Sequence, residues 1–504
     1  MLPYNPKSSE SIINYAKKLR NQTLRQACDK NTVFEKVDGK GSFGVLLENY
    51  YFKYKSNSDA NADFPDAEPG GGLELKSTGL LAYKGNDGFR IKERLSLKSI
   101  NFNKVWKETF LQSSLFKKVK NLLIVFYIWD NKLPKEDLSV KLVDTWSIPE
   151  DDLQLIKHDY NTIIKKIRAG LAHELSSSDT NYLEPSTTGG GHGKTVKQPF
   201  SEIPAHPRRF AFKQSYMNYV LSNILIDRYS KEEQILFKKC INENLNLKPI
   251  KKDKNDIKLT FEQLIEKRLN KYYGCSEFDI SKKLNVEYKL DKYGRPDKAL
   301  YSRVVKKILC GDEAEISELV KADITLKSVR IENNDKPKQS ISSPAFEFIK
   351  DIYETDWLES EWRQIVKKRY LFVFFKKQNK GSYILEKFKI WNMPQKDIEE
   401  CKKVWIKTKN LISSGNIFDS FMYDKKSGEL RLTKLGNPYK KNNFPGIKES
   451  SVCHVRPHGT DASEVYPLPV KDKKLGVMEY SKQCFWLNSS YVGDIYKSIT
   501  KVYE

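Results

Sequence analysis

The chain has 504 residues, too many for one ordinary domain, so roughly two to four domains are expected. Hydrophobic residues make up 39% and charged residues 30% of it, which is typical of folded domains and excludes a disordered chain. Lysines and arginines number 88 and acidic residues 65, so the net charge is 88 − 65 = +23. This surplus favours a polyanionic partner, because each phosphate that a basic side chain neutralises releases condensed counterions.

No segment predicts a membrane span or a secretory signal. The most apolar run, residues 121–129, is far shorter than the roughly 20 residues that a spanning helix needs. The N-terminus, MLPYNPKSSE, lacks the apolar core of a signal peptide. Seven scattered cysteines without a CxxC pair indicate reduced thiols rather than disulfides or a zinc site. The sequence therefore predicts a cytoplasmic protein with no membrane partner.

The first motif along the chain runs from Lys40 to Glu48, KGSFGVLLE, and leads into an apolar stretch that predicts a helix. Its glycines, Gly41 and Gly44, are too sparse for a nucleotide-binding loop. The chain has no GxxxxGK[ST] pattern, so nothing supports ATP dependence. Glu48 is a candidate third carboxylate for a metal site, and the alternative is an exposed helix glutamate.

The second motif joins two acidic residues, Asp63 and Asp66, to the sequence LELK through a glycine-rich turn. In a strand, Glu74 and Lys76 project from the same face. Two carboxylates and a lysine on one surface suit phosphodiester hydrolysis. The carboxylates hold a hard cation, which acidifies a bound water, and the lysine stabilises charge that develops on the phosphate. On its own the pattern is weak, and the alternative is an exposed strand edge.

The chain contains the same elements twice. The apolar runs NLLIVFY and RYLFVFF, each typical of a buried strand, are separated by 369 − 121 = 248 residues. The boxes WSIPEDDL and WNMPQKDI that follow are separated by 391 − 146 = 245 residues, and each leads into a predicted helix (Leu153–Arg168 and Ile398–Ile412) closed by a glycine. A third pair, LELKS and ITLKS, is offset by 327 − 76 = 251.

These offsets predict two related mixed α/β domains, each with a central mixed sheet flanked by helices. We place them at residues 1–230 and 258–504, joined by a lysine-rich linker, 231–257. In the second copy Thr325 replaces Glu74 while Lys327 remains. Loss of one carboxylate predicts one catalytic copy and one silent copy.

The motifs KGxxGxxxE and DF followed by G-φ-ELK resemble the MutH family of GATC-directed endonucleases. Over nearly its whole length the chain resembles the Sau-type restriction enzymes of that family, which carry a second, silent MutH-like domain. The resemblance includes AHEL, RRFAFK, HVRPH and QCFWLN. It implies two restriction-endonuclease-like folds, Mg²⁺ as the cofactor, and double-stranded DNA with GATC sites as the partner.

The resemblance also implies catalytic and metal-binding roles for Asp63, Glu74 and Glu48, a catalytic role for Lys76, and a DNA approach by Lys40 and Gly41. In the family about seven residues separate the Asp from the Glu of ELK, whereas here 74 − 63 = 11. Insertion of residues 68–71 would restore the pattern around Asp63. Without such an insertion Asp66 is the competitor, since 74 − 66 = 8.

Base reading in the second copy is assigned by resemblance to Arg456 within HVRPH, which also contains His458. Guanidinium groups suit bidentate contact with guanine. The comparable segment of the first copy, residues 183–191, lacks that arginine. DNA contact there falls to the main chain or to a basic and polar set: Thr187, Lys194, Arg209 and Lys213.

The sequence as a whole predicts a Type II restriction endonuclease that cuts GATC duplexes with Mg²⁺ and binds a second DNA site through its C-terminal domain. One metal site per chain and two scissile strands imply a transient homodimer on DNA or two sequential nicks. Two alternatives remain, a strand-selective nickase and a non-catalytic DNA-binding regulator.

Overall fold

The computed structural model describes residues 2–37, 39, 41–54, 61–83, 85, 87–188, 194–250, 252–253, 255–256, 259–378, 381–424, 427–432, 436, 438–459 and 463–500. Contacts within it divide the chain into two compact units. The first comprises Met1–Leu264 and Ala314–Asp323, and the second comprises Ile265–Glu313 and Ile324–Glu504.

Both units mix helices with strands. The α-helices, in chain order, are α1 Ser9–Lys17, α2 Leu24–Ala27, α3 Ser42–Leu46, α4 Phe102–Val105, α5 Ser114–Val119, α6 Glu150–Arg168, α7 Gln214–Arg228, α8 Lys231–Gln234, α9 Lys238–Asn244, α10 Phe261–Leu269, α11 Glu277–Leu284, α12 Leu300–Cys310, α13 Ser317–Lys321, α14 Glu361–Lys367, α15 Gln395–Ser413 and α16 Ser489–Lys497. Short π-helical turns cover Leu47–Tyr51 and Phe348–Tyr353.

The strands, in chain order, are β1 Glu74–Ala82, β2 Phe89–Ile91, β3 Leu95–Ser99, β4 Asn121–Ile128, β5 Val140–Ser147, β6 Leu183–Thr187, β7 Val196–Gln198, β8 Ser201–Ala205, β9 Arg208–Phe212, β10 Ile324–Ile331, β11 Ile341–Phe346, β12 Arg369–Lys377, β13 Tyr383–Asn392, β14 Asp419–Phe421, β15 Lys440–Asn442, β16 Cys453–Pro457, β17 Val465–Pro467, β18 Glu479–Ser481 and β19 Gln483–Leu487.

The main sheet of the first unit has the order β2-β1-β4-β5. Strand β1 runs parallel to β4, while the β1–β2 and β4–β5 pairs are antiparallel, so the sheet is mixed as predicted. Strand β4 lies in the interior of this sheet because its aliphatic and aromatic side chains, from Leu122 to Tyr127, are all buried. Side chains of α1, α3, β1 and β5 pack into the same core as those of β4.

A smaller sheet of the first unit has the order β3-β9-β6, with both strand pairs antiparallel. Its edge strand β6 starts at an anchor provided by Asp159 of α6. The fully buried Asp159 carboxylate accepts backbone N–H groups from Asn181 (2.7 Å), Tyr182 (2.6 Å) and Leu183 (3.0 Å). These bonds satisfy donors that would otherwise be orphaned, and they fix where β6 begins.

The second unit repeats this arrangement. It has a mixed sheet of order β10-β12-β13, with β10 parallel to β12, and a three-stranded antiparallel sheet of order β11-β19-β16. Strand β12, like β4, is buried along nearly its whole length. The two-copy α/β fold class expected from the sequence is confirmed.

The strand registers align the two copies residue by residue. Glu74 pairs with Leu122 in the first unit, and Thr325 pairs with Tyr370 in the second. The offset between Leu122 and Tyr370 is 370 − 122 = 248, which is also the offset between the two buried strand sequences. Glu74 and Thr325 therefore occupy equivalent positions in the two sheets.

The long helices α6 and α15 follow the two tryptophan–proline boxes, as predicted. Pro149 and Pro394 precede their first residues, where the missing N–H of proline is harmless. The first turn of α6 is acidic and its last turn basic, which suits the helix dipole. Gly170 and Gly415 follow the helix ends with φ of 72° and 61°, a left-handed conformation that glycine adopts without a Cβ clash.

The segment 231–257, expected to be a linker, carries α8 and α9 and contributes side chains to the interior of the first unit. Phe237 and Cys240 are 2% and 0% exposed. Phe237 and Cys240 are three residues apart, so both lie on one helix face, and that face packs against the first unit. In the part of the chain that the structure describes, no helix is long and apolar enough to cross a membrane.

Candidate active site

The start of β1 brings the glutamate and the lysine of LELK together. Glu74 is 1% exposed, and the Nζ of Lys76 donates to its Oε1 at 2.5 Å. The two side chains share a face because strand residues alternate, as predicted. A carboxylate this deeply buried requires a charged or hydrogen-bonding partner, and Lys76 supplies one.

A glycine-rich turn returns Asp63 to the first residues of β1. Phe64 forms an antiparallel bridge with Leu73, so Asp63 lies beside Glu74. The backbone N–H of Asp63 donates to Glu74 Oε2 at 3.1 Å, and the N–H of Leu75 donates to Asp63 Oδ2 at 2.9 Å. Asp66, the competitor in the sequence, is exposed in the turn. The structure brings Asp63 to Glu74 and leaves Asp66 apart.

Lys118 of α5 belongs to this cluster and was not predicted from the sequence. Its Nζ donates to both carboxylate oxygens of Glu74, at 3.1 and 3.2 Å, and the residue is 8% exposed. In the sequence it lies within the run KKVK, which is typical of a solvated helix face. The available signal was its spacing of three residues from the buried Leu115, which places both on one helix face.

The electrostatics confirm that acidic groups crowd together here. Burial, reinforced by the charge of Glu74, raises the pKa of Asp63 from 3.8 to about 6, against the opposing effect of Lys76 and Lys118. Glu48 raises the same pKa from its half-buried place on the π-helical turn. Burial also raises the pKa of Tyr54, and Asp63, Glu48 and Glu74 add to that shift.

The carboxylates of Asp63, Glu74 and Glu48 are the oxygen donors that a hard divalent cation prefers. Their mutual repulsion is relieved when a cation binds, so the donor set fits such an ion. Among the described residues no group of three or more His, Cys, Asp or Glu side chains forms a preassembled metal centre. In this structure Lys76 and Lys118 neutralise Glu74 instead.

Comparison with known proteins points to the same chemistry as the cluster of Asp63, Glu74 and Lys76. Residues 52–159 match the family model of MutH, described as DNA mismatch repair enzyme MutH. The chain is also 29% identical over 482 residues to the Type II restriction enzyme Sau3AI of Staphylococcus aureus, a match that covers 90% of this chain and 91% of that enzyme. Both matches indicate a MutH-like restriction endonuclease. The resemblance read from the sequence is confirmed, and with it the enzyme class, a deoxyribonuclease acting on DNA.

The MutH-matched segment contains Asp63, Glu74, Lys76 and Lys118, whereas Glu48 lies just before it. Among the residues expected to approach DNA, Gly41 is exposed at the start of α3. Lys40 lies outside the described residues.

The predicted DNA contacts of the first copy fall into different environments. Thr187 and Lys194 are exposed, and Arg209 is half-buried on β9. Lys213 is 9% exposed, and its Nζ donates to the carbonyl oxygen of Thr180 at 2.7 Å. The ammonium group of Lys213 is thus hydrogen-bonded within the protein interior, and its contact with DNA stays a prediction.

In the second unit the positions equivalent to the Glu74–Lys118 ion pair are both uncharged. Thr325 replaces Glu74, and alignment of the helix N-caps Ser113 and Ser360 places Ile365 where the first unit has Lys118. Lys327, the counterpart of Lys76, remains, and burial together with Lys368 lowers its pKa. The second unit therefore has neither this carboxylate nor its buried counter-ion.

Arg456 and His458 lie exposed on the strand β16 and just after it. The guanidinium of Arg456 lies 4.6 Å from the ring centroid of Trp486, and the His458 ring packs edge-on against the same indole. His454, between them and the core, is 5% exposed and bonds to Asn488 at 2.6 Å. The exposed edge of β16 thus presents one arginine on an aromatic platform.

Proposed function

We propose that this protein is a Type II restriction endonuclease that hydrolyses both strands of DNA at 5′-GATC-3′ in a reaction that requires Mg²⁺. The observation that carries the proposal is the contact of the buried Glu74 with Asp63 and with Lys76, inside the segment that matches MutH. Two carboxylates and a lysine in one place meet the requirements of phosphodiester hydrolysis.

In this proposal Asp63, Glu74 and Glu48 hold the cation. A bound divalent ion polarises the scissile phosphate and lowers the pKa of a water molecule. Lys76 orients the attacking water and stabilises negative charge on the phosphate, since its ammonium group already lies against the carboxylate at 2.5 Å. Lys118 neutralises Glu74 from the buried side, which keeps this carboxylate in place when DNA phosphates approach.

The second unit, we propose, binds another copy of the site without cutting it. A cleft of about 1390 Å³ lies within this unit and is lined in part by Lys327, the counterpart of Lys76. Lysines and arginines outnumber acidic residues in its lining, and they include Lys289, Lys298, Lys327, Arg330, Lys338 and Lys377. Such a lining attracts a phosphate backbone, while Thr325 removes the means to hydrolyse it.

The experiment that tests the catalytic proposal is digestion of plasmids with and without GATC sites, in Mg²⁺ or EDTA. We expect discrete fragments only with GATC and Mg²⁺, none with Asp63→Asn or Glu74→Gln, and normal digestion with the matched control Asp66→Asn. Open-circular product alone would identify a nickase. Intact DNA with binding retained in EDTA would identify a regulator and refute the proposal.

The effector proposal is tested separately with plasmids that carry one or two GATC sites. We expect faster cleavage with two sites and loss of this advantage in Arg456→Ala, because that exposed arginine is our candidate reader in the second unit. Equal rates on both plasmids in the unchanged protein would refute it. Dimerisation on DNA, which we also propose, is measured by sedimentation with an uncleavable duplex.

We propose the cytoplasm as the site of action. All seven cysteines are free thiols, which suits a reducing compartment.

A further inference from the structure

The three-stranded sheets of the two units can be compared position by position. In the first unit Ser186 pairs with Arg209, and in the second Arg456 pairs with Cys484. Ser186 lies three residues after Leu183, the first residue of β6, and Arg456 lies three residues after Cys453, the first residue of β16. Ser186 is therefore the counterpart of Arg456, and the first unit lacks an arginine at this position.

Strands β3 and β11 also begin at equivalent positions, since Leu95 and Ile341 each pair with the last residue of the central strand. The residues immediately before them, Arg94 and Ser340, are therefore counterparts. The first unit has arginine at the position before β3 and serine on β6, whereas the second has serine before β11 and arginine on β16. Serine and arginine thus occupy these two positions in opposite order in the two units.

The side chain of Arg94 reaches the place where the second unit has its arginine. Its Nη1 donates to the Oγ of Ser186 at 3.2 Å and forms an ion pair with Glu184 at 2.8 Å. Glu184 is 5% exposed, whereas 46% of the Arg94 side chain is exposed. A buried carboxylate thus holds a guanidinium that still faces solvent.

A small residue on the central strand makes this reach feasible. Ala211 pairs with Glu184 on one side and with Ser96 on the other, so it lies between Arg94 and the carboxylate that holds it. At the equivalent position the second unit has Trp486, whose indole carries Arg456. A bulky ring at position 211 would block the path of Arg94 across β9.

We propose that Arg94, positioned by Glu184, contacts guanine in the DNA site that the first unit cleaves. The inference rests on the proposed endonuclease function and adds a residue to it. A guanidinium matches the O6 and N7 acceptors of guanine, and holding it in advance reduces the entropy lost on binding. Because Glu184 offsets its charge, Arg94 adds little to phosphate attraction, which favours a base contact over a backbone contact.

The test combines protein variants with a modified base in a double-mutant cycle. Cleavage of a GATC duplex is compared with cleavage of the same duplex containing 7-deazaguanine, which lacks the N7 acceptor. We expect unchanged protein to lose about 10- to 100-fold on the modified duplex, the size of one bidentate base contact. Arg94→Ala should lose a similar factor on the normal duplex and little more on the modified one.

Arg94→Lys distinguishes the kind of contact. Lysine keeps the charge but not the planar fork, so it should fail like alanine if the contact is to a base, and retain activity if the contact is to a phosphate. Arg25→Ala is the matched control, since Arg25 forms an exposed ion pair with Asp137 in the same unit. Circular dichroism melting establishes that each variant is folded.

Each outcome bears on a different claim. The base contact would be overturned if Arg94→Ala and 7-deazaguanine reduced cleavage independently, so that the two factors multiplied. Full activity of Arg94→Lys would also overturn it. Neither result would contradict the proposed nuclease function. An unchanged protein that cuts no GATC duplex would overturn the proposed function, and with it this inference.

Discussion

Replacement of Asp63 by asparagine should stabilise the metal-free protein while abolishing its activity. Asparagine keeps the shape of the side chain, and its Oδ1 can still accept the N–H of Leu75, which lies 2.9 Å from the aspartate oxygen. What it removes is the charge that burial and Glu74 disfavour, the same crowding that raises the Asp63 pKa to about 6. Under the proposed function, the cluster suits a bound cation at the expense of stability without it.

The pKa difference gives the magnitude and the pH window. Folded Asp63 holds its proton up to about pH 6, whereas the unfolded value is 3.8. Between these values the folded state binds more protons, so stability falls as pH rises, and the full penalty is present above pH 6. A shift of about two units corresponds to about 3 kcal/mol at most. Below pH 3.8 the variant and the unchanged protein should be equally stable in this respect.

The assay is thermal unfolding in EDTA at pH 4 and pH 7.5, with Asp66→Asn as the matched control. We expect Asp63→Asn to raise the melting temperature of the first unit by about 2–4 °C per kcal/mol gained at pH 7.5. The exposed Asp66 should show no such gain. Saturating Mg²⁺ should stabilise the unchanged protein and not Asp63→Asn. The electrostatic reasoning would be refuted if the difference in melting temperature between Asp63→Asn and the unchanged protein were no larger at pH 7.5 than at pH 4.

Two further predictions follow from buried contacts. Glu74→Thr should destabilise the first unit by about 3 kcal/mol, because it leaves the buried ammonium of Lys118 without its carboxylate; adding Lys118→Ile, as in the second unit, should restore most of the loss without restoring cleavage. Chemical unfolding and plasmid digestion measure both effects, and an additive double variant would contradict the pairing. Gly170→Ala should destabilise more than Gly274→Ala, since only the first Cβ would meet a backbone oxygen, at 2.4 Å; unfolding midpoints that rank them the other way would be contrary evidence.

Periodicity and repetition predicted much of the fold. Strands β4 and β12 are buried along their length, and such strands read as continuous apolar runs. Helices α6 and α15 combine a regular apolar face with a proline before the first residue and a glycine after the last. The alternation in LELK placed Glu74 and Lys76 on one face. These features are local, so the sequence alone could reveal them.

Long-range charge pairing could not be predicted in the same way. Lys118 and Glu74 are 118 − 74 = 44 residues apart, and only the spacing of Lys118 from Leu115 distinguishes it from the exposed lysines of KKVK. Lys213 was expected at DNA because it follows RRFAF, but it ends at the carbonyl of Thr180. No sequence pattern indicated a role for Arg94. Its contacts with Glu184 and Ser186 of β6 form only when the chain folds and β3 and β6 pair with opposite sides of β9.

The sequence of the second unit is consistent with the same electrostatics. A single change from glutamate to threonine at position 325 would leave a buried ammonium without a counter-ion, if the second copy once had a lysine at position 365. Removing one member of a buried pair is more destabilising than replacing both by uncharged groups. The uncharged residues Thr325 and Ile365 are the combination that this argument favours. Among the described residues no carboxylate forms an ion pair with Lys327, which is half-buried, has a pKa lowered by burial and by Lys368, and lines the cleft of the second unit.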